Sequence, residues 1–113
     1  MRRRQWKFYV DDILEAIARI ERYTQGMDLE GFRGSDITVD AVIRNFTIIG
    51  EAARQIPPEI EKANADIPWD KMRALRNIVV HQYFGVDAGI IWETLRHDLP
   101  PLTSRLRQSL AKS

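Results

Sequence analysis

From Val10 onward the apolar side chains Val10, Ile13, Leu14, Ile17 and Ile20 recur every three or four positions, with Asp11, Asp12, Glu15, Arg19 and Arg22 filling the gaps. Only a helical backbone brings the first set onto one face and the second onto the other. The same spacing returns in Val39, Val42, Ile43, Phe46, Ile49, Gly50 and Ala53, and again in Leu99, Leu102, Leu106 and Leu110. No stretch of useful length alternates apolar and polar residues as a half-buried strand must, and no internal repeat is present. The expectation is an all-α bundle of four to five main helices whose stripes face a common core.

Punctuation between the stripes sets the boundaries. Gly26 suits the left-handed position just past the first helix, and the connection up to Asp36 has room for one short turn from Asp28 to Phe32. Asp36 or Thr38 can cap the second helix. Gly50 inside its stripe costs about 1 kcal/mol relative to alanine, so it marks a place where another helix backbone comes close. Pro57-Pro58 ends that helix, and Pro58 can open a short peripheral third helix through Glu59, Ile60, Glu61 and Lys62. Beyond Ile67-Pro68-Trp69, Asp70 can cap a fourth helix that runs to about His81 before Gly85 breaks the chain. Asp87 can cap a fifth, with Ile90, Ile91, Trp92 and Leu95 facing inward, and Pro100-Pro101 kinks or splits it before a last helical piece. Asp11, Asp12 and Glu15 read as acidic groups near a helix start, and Trp6, Trp69 and Trp92 as core or interface.

Length and charge narrow the function. A chain of 113 residues suffices for one domain, 1–113, and hides roughly two thirds of its unfolded surface. With no cysteine there is no disulfide, thiolate nucleophile or cysteine metal site, which fits a reducing cytoplasm. Met1-Arg2-Arg3-Arg4 is not followed by the apolar stretch of a secretion signal, and reads as a solvated terminus. The longest run without Asp, Glu, Lys or Arg, from Asn77 to Val86, has about half of the roughly 20 residues a membrane helix needs. Seventeen basic side chains against sixteen acidic ones leave a net charge of +1, so any contact with RNA must be local.

The local candidate is Arg76-Asn77-Ile78-Val79-Val80-His81-Gln82-Tyr83. At about 100° per residue, Tyr83 falls two turns beyond Arg76 on one stripe, and Asn77 and His81 lie one turn apart on the next. Met72, Leu75, Ile78 and Val79 occupy the rest, which predicts a helix buried over most of its surface with its polar side lining a cleft or a subunit interface. Two readings of the residues stand side by side. In the plain structural one, Arg76 pairs with a carboxylate such as Glu51, Asn77 and His81 bond backbone, and Tyr83 packs. In the functional one, the imidazole moves a proton and the guanidinium holds a phosphate. The paired carboxylates of a glycosidase, the nucleophile elbow of a hydrolase and the glycine-rich loop of a nucleotide kinase are all missing. Glu93 and His97, one turn apart, have no evident third ligand and read as a solvated ion pair, so no metal or cofactor is expected.

Arg76-Asn77, three apolar residues and His81-Gln82-Tyr83 together resemble the Arg-x4-His-x-Tyr signature of the HepT-like toxins in the HEPN superfamily. The resemblance extends through Asp11-Asp12-Ile13-Leu14, Tyr23-Thr24, Asp40-Ala41-Val42-Ile43-Arg44, Ile49-Gly50-Glu51-Ala52-Ala53, Ile67-Pro68-Trp69 and Val86-Asp87 to Asp98-Leu99-Pro100. It implies one HEPN-type helical domain that forms a homodimer and cuts RNA without metal, in a cleft shared by two protomers. It also implies a minimal nucleotidyltransferase antitoxin that silences the toxin by transferring AMP from ATP to Tyr83. By the same resemblance Arg76 and His81 are catalytic, Asn77 is a helper, and Arg44, Glu51 and Arg73 are looser supporting candidates. The rivals are a non-catalytic subunit that binds nucleotide or substrate for a nucleotidyltransferase complex, and a purely structural helical dimer.

Overall fold

The computed structural model describes residues 4–82 and 88–112, with side chains placed for 5–78 and 88–112. Its first helix, α1 (Arg4–Thr24), buries Val10, Ile13, Ile17 and Ile20 and keeps Leu14 at the margin of the core. Thr24 closes it by donating its hydroxyl to the Ile20 carbonyl at 2.8 Å. Gly26 follows with φ of 77°, the left-handed turn expected there and one that other residues adopt at a cost. Asp11, Asp12 and Glu15 do not sit near the start: α1 already runs from Arg4, so they occupy its middle turns, where the partial charge of the helix end is small.

The short turn expected at Asp28 is α2 (Leu29–Arg33), capped by Asp28, whose carboxylate accepts from the Gly31 amide at 2.8 Å. In α3 (Asp36–Ala53) the cap is Ser35 rather than Asp36 or Thr38. The Ser35 hydroxyl accepts from the Thr38 amide and also pairs with the Thr38 hydroxyl at 2.8 Å, which leaves Asp36 as the first helical residue. Val39, Val42, Phe46, Ile49, Gly50 and Ala53 are buried, as their stripe requires, and Ile43 is partly so. α3 ends at Ala53, before Pro57, and Pro58 opens α4 (Pro58–Ala63), which buries none of its residues.

Asp70 does not cap α5 (Trp69–Gln82). The helix begins one residue earlier, with the Pro68 carbonyl accepting from the Met72 amide at 3.2 Å, and the Asp70 carboxylate turns to Arg73 instead. Of its described side chains Trp69, Met72 and Leu75 are buried and Ile78 partly so, while Arg76 and Asn77 are exposed. In a single chain Arg76 and Asn77 therefore face solvent, and the described side chains of the helix are not mostly buried, contrary to the expectation; the side chains of Val79, Val80 and His81 lie outside the described residues. Trp69, Met72, Leu75 and Ile78 face the core, and these four leave the Arg76 guanidinium and the Asn77 amide in solvent.

α6 (Ala88–Glu93) continues into a π-helical turn, Thr94–Asp98, and after Pro100-Pro101 the chain resumes as α7 (Leu102–Ala111). Ile91, Trp92, Leu95, Leu99, Leu102 and Leu106 face inward. Ile90 does not; it is 50 % exposed. Ile91, Trp92 and Leu95 define the inward arc, and Ile90 lies about 150° from its centre. The Phe32 and Trp92 rings meet at 5.3 Å between centroids, tying α2 to α6, and all three tryptophans belong to the core. α3 is the central element: it packs on α1 along one side and on α5 along another, with α7 completing the bundle against α1. Among the described residues no helix is long and apolar enough to cross a membrane. The expected break at Gly85 and cap at Asp87 fall outside the described residues.

Candidate active site

Two local features fix where α5 presents its polar side. At its start, the Trp69 indole donates to the Asn64 carbonyl at 3.1 Å, anchoring the first turn to the end of α4. One turn further on, α5 comes unusually close to α3. A Cβ placed on Gly50 would stand 3.3 Å from both the Cβ and the backbone nitrogen of Arg76 and 3.5 Å from the Arg73 carbonyl oxygen. The glycine in the α3 stripe thus does what its cost implied and sets the height of Arg73 and Arg76 against α3.

The two arginines have opposite surroundings. Arg73 donates to Glu61 Oε1 at 3.0 Å and to Asp70 Oδ1 at 2.5 Å. The hydrogen bonds it donates to Glu61 and then to Asp70 raise its pKa above the ordinary arginine value, outweighing partial burial. It fastens α4 to α5 with two carboxylates already on its fork. Arg76 reaches Glu51 Oε2 at 3.5 Å, with both side chains about half exposed. Arg54, one turn after Glu51, approaches the same oxygen at 3.8 Å. Pairs this loose and solvated contribute about 0–1 kcal/mol each, and among the described residues they leave most guanidinium donors free for an anion.

Of the residues singled out in the sequence, the structure brings Glu51 and Arg76 together and directs Arg73 away to Glu61 and Asp70. Asn77 is exposed beside Arg76. Arg44 is exposed on α3, seven residues before Glu51 and so on nearly the same stripe, two turns away. His81 lies on the last turn of α5, five residues beyond Arg76, or about 7.5 Å along the axis. Its side chain, and Tyr83 altogether, lie outside the described residues.

Sequence reasoning passed over two residues. Arg54 was legible as Glu51-x-x-Arg54, an i,i+3 pair at the end of the apolar stripe. Asn45 is 3 % exposed, donates to the Ala41 carbonyl at 2.8 Å, and its Oδ1 meets no donor among the described residues. Its signal was its position: three residues after Val42 and four before Ile49, it is a polar residue on the buried stripe of α3.

Elsewhere, Glu93 and His97 form the expected pair at 3.1 Å, both about 70 % exposed. Among the described residues no three His, Asp or Glu side chains gather as they would to hold a metal ion. A groove lined by Leu29, Gly89, Ile90, Glu93, Thr94, His97 and Asp98 contains none of the predicted site residues.

Comparison with known proteins gives these positions a context. A family model described as "Ribonuclease HepT-like" matches residues 13–109. The chain is 39 % identical over 106 residues to "Probable ribonuclease HepT" of Thermococcus cleftensis, covering 94 % of this chain and 96 % of that one. It is 31 % identical over 104 residues to a "Putative RNase" of Caldanaerobacter subterraneus subsp. tengcongensis, covering 92 % and 93 %. A Methanocaldococcus jannaschii protein called "Gamma-glutamylcyclotransferase and putative RNase" is 39 % identical over 104 residues, 92 % of this chain but 47 % of that longer one. No solved structure matches the chain.

Proposed function

The chain belongs to the HepT-like ribonuclease family of the HEPN superfamily, and on that premise we propose that it is a metal-independent endoribonuclease toxin acting as a cytoplasmic homodimer. In this reading Arg76 and His81 are catalytic, Asn77 assists, and Tyr83 accepts AMP from a minimal nucleotidyltransferase antitoxin. The observation that carries it is the half-exposed guanidinium of Arg76, held at a fixed height over α3 by the Gly50 contact and sharing one helix with His81.

The chemistry follows from the groups. A ribose 2′-oxygen attacks the adjacent phosphorus, its proton passes to an imidazole, and the bond from phosphorus to the 5′-oxygen breaks. The departing oxygen takes a proton from an imidazolium or water, leaving a 2′,3′-cyclic phosphate and a 5′-hydroxyl. Arg76 offers N–H donors to the phosphoryl oxygens as their charge grows. Among the described residues Arg76 and Asn77 are exposed, which favours a second copy placed over them, so that two Arg76–His81 elements share one cleft.

Silencing needs one further transfer. The Tyr83 phenolic oxygen attacks the α-phosphorus of ATP, pyrophosphate leaves, and the phenolic proton goes to solvent. The product carries an anionic phosphodiester two residues past His81, where it repels the backbone of RNA. Incubation with ATP and the cognate nucleotidyltransferase is expected to add one AMP at Tyr83 and to suppress cleavage, with Tyr83→Phe escaping both, as mass spectrometry of peptides would read. AMP found only on Tyr9 or Tyr23 would reject the switch.

A further inference from the structure

Around the Gly50 contact the charges are arranged in two opposite ways. On α5, Arg73 is shared by two carboxylates, Glu61 and Asp70, both reached by its Nη2, so its surroundings carry excess negative charge. On α3, one carboxylate oxygen, Glu51 Oε2, is shared by two guanidiniums, Arg76 at 3.5 Å and Arg54 at 3.8 Å. Here the excess charge is positive. Arg54, Glu51 and Arg76 have side chains 53 %, 50 % and 47 % exposed, so this excess faces solvent, and among the described residues it leaves guanidinium N–H groups unspent.

We propose that Arg54 is a second phosphate-binding residue of the RNA site, linked to Arg76 through Glu51, and that it takes the backbone phosphate next to the one Arg76 holds. The inference rests on the assignment of Arg76 to the RNA phosphate given above. Because both guanidiniums approach the same oxygen, they are separated by no more than the sum of those two distances, a span that neighbouring phosphates of one strand can bridge. Glu51 is then a positioning residue. In the free protein it holds both cations over α3, and as RNA arrives its single negative charge competes with the incoming phosphates. Arg54 ends α3 and its backbone N–H already donates to the Gly50 carbonyl at 3.2 Å, so the helix end does not need its side chain. A helix-end cation of purely structural use would stabilise α3 without altering RNA affinity, which separates the two roles experimentally.

The test measures binding of a single-stranded, fully 2′-O-methylated RNA, which has no 2′-hydroxyl to attack, together with kcat and KM on ordinary RNA. Arg54→Ala is expected to weaken binding several-fold and to reduce the slope of log affinity against log salt by about 0.7, the value of one phosphate contact on a single strand. Arg54→Lys keeps the charge and should retain most of that affinity. Arg19→Ala removes an equal charge from α1, where Arg19 pairs with Glu15 at 3.4 Å, and should change neither quantity. Glu51→Gln should tighten binding several-fold while lowering kcat, because the cations lose both their competitor and their anchor. Arg54→Ala behaving like Arg19→Ala, or Glu51→Gln leaving affinity unchanged or weaker, would overturn the proposal. Should the wild type bind as expected but leave ordinary RNA uncut, the catalytic reading fails while the subsite stands.

Discussion

A methyl group on residue 50 would press on the Cβ and backbone nitrogen of Arg76 at 3.3 Å, and neither atom can move without moving α5. Gly50→Ala therefore gains about 1 kcal/mol of helix propensity and meets an overpacking penalty of about 1–3 kcal/mol. The expected net effect is a destabilisation of about 1 kcal/mol, measured by urea denaturation, with a larger proportional loss of RNA cleavage because Arg76 is displaced. A more stable variant of unchanged activity would show that α3 and α5 have room to spare there. This contact was legible in the sequence, since a glycine in an apolar helical stripe needs a reason. The Arg76–Glu51 pair was legible as well. The misreading of Asp70 is instructive: a carboxylate just before an apolar stripe looks like a cap, but Arg73 three residues on offers a charged partner that outcompetes a backbone amide.

At the scale of elements, α3 supplies the core with residues that touch both of its neighbours. Phe46 is fully buried at its centre, whereas Ile37 on its first turn is 84 % exposed. Phe46→Ala is expected to cost about 3–5 kcal/mol and Ile37→Ala less than about 0.5 kcal/mol, by denaturant titration at one protein concentration. Similar losses at the two sites would mean that Ile37 is covered by something other than its own chain. The stripes of α1, α3 and α7 were readable because three- and four-residue spacing has one structural meaning over several turns. Helix ends were less so. Ser35, Asp36 and Thr38 all carry capping oxygens, and the choice among them depends on how α2 delivers the chain to α3. The π-helical turn at Thr94–Asp98 leaves no such pattern, because the apolar positions Ile91, Leu95 and Leu99 keep ordinary helical spacing straight through it.

For the whole molecule, the polar side of α5 decides what remains to be assembled. Arg76 and Asn77 are exposed in one chain, and a second copy across that face would create a site neither chain has alone. Light scattering at tens of micromolar, an order-of-magnitude concentration at which specific interfaces are normally filled, is expected to give twice the mass of one chain. A monomer there would count against a shared cleft. The near-even charge balance read from the sequence has its counterpart in carboxylates that match basic groups, as Glu61 and Asp70 match Arg73. The most direct test is cleavage of a short single-stranded RNA in excess EDTA by the wild type, Arg76→Ala and His81→Ala, with the new ends identified by mass spectrometry. The account predicts 2′,3′-cyclic phosphate ends from the wild type, a loss of at least about a hundredfold in each folded variant, and no effect of the chelator. Undiminished cleavage by His81→Ala, or cleavage that returns only when a divalent ion is added, would contradict it.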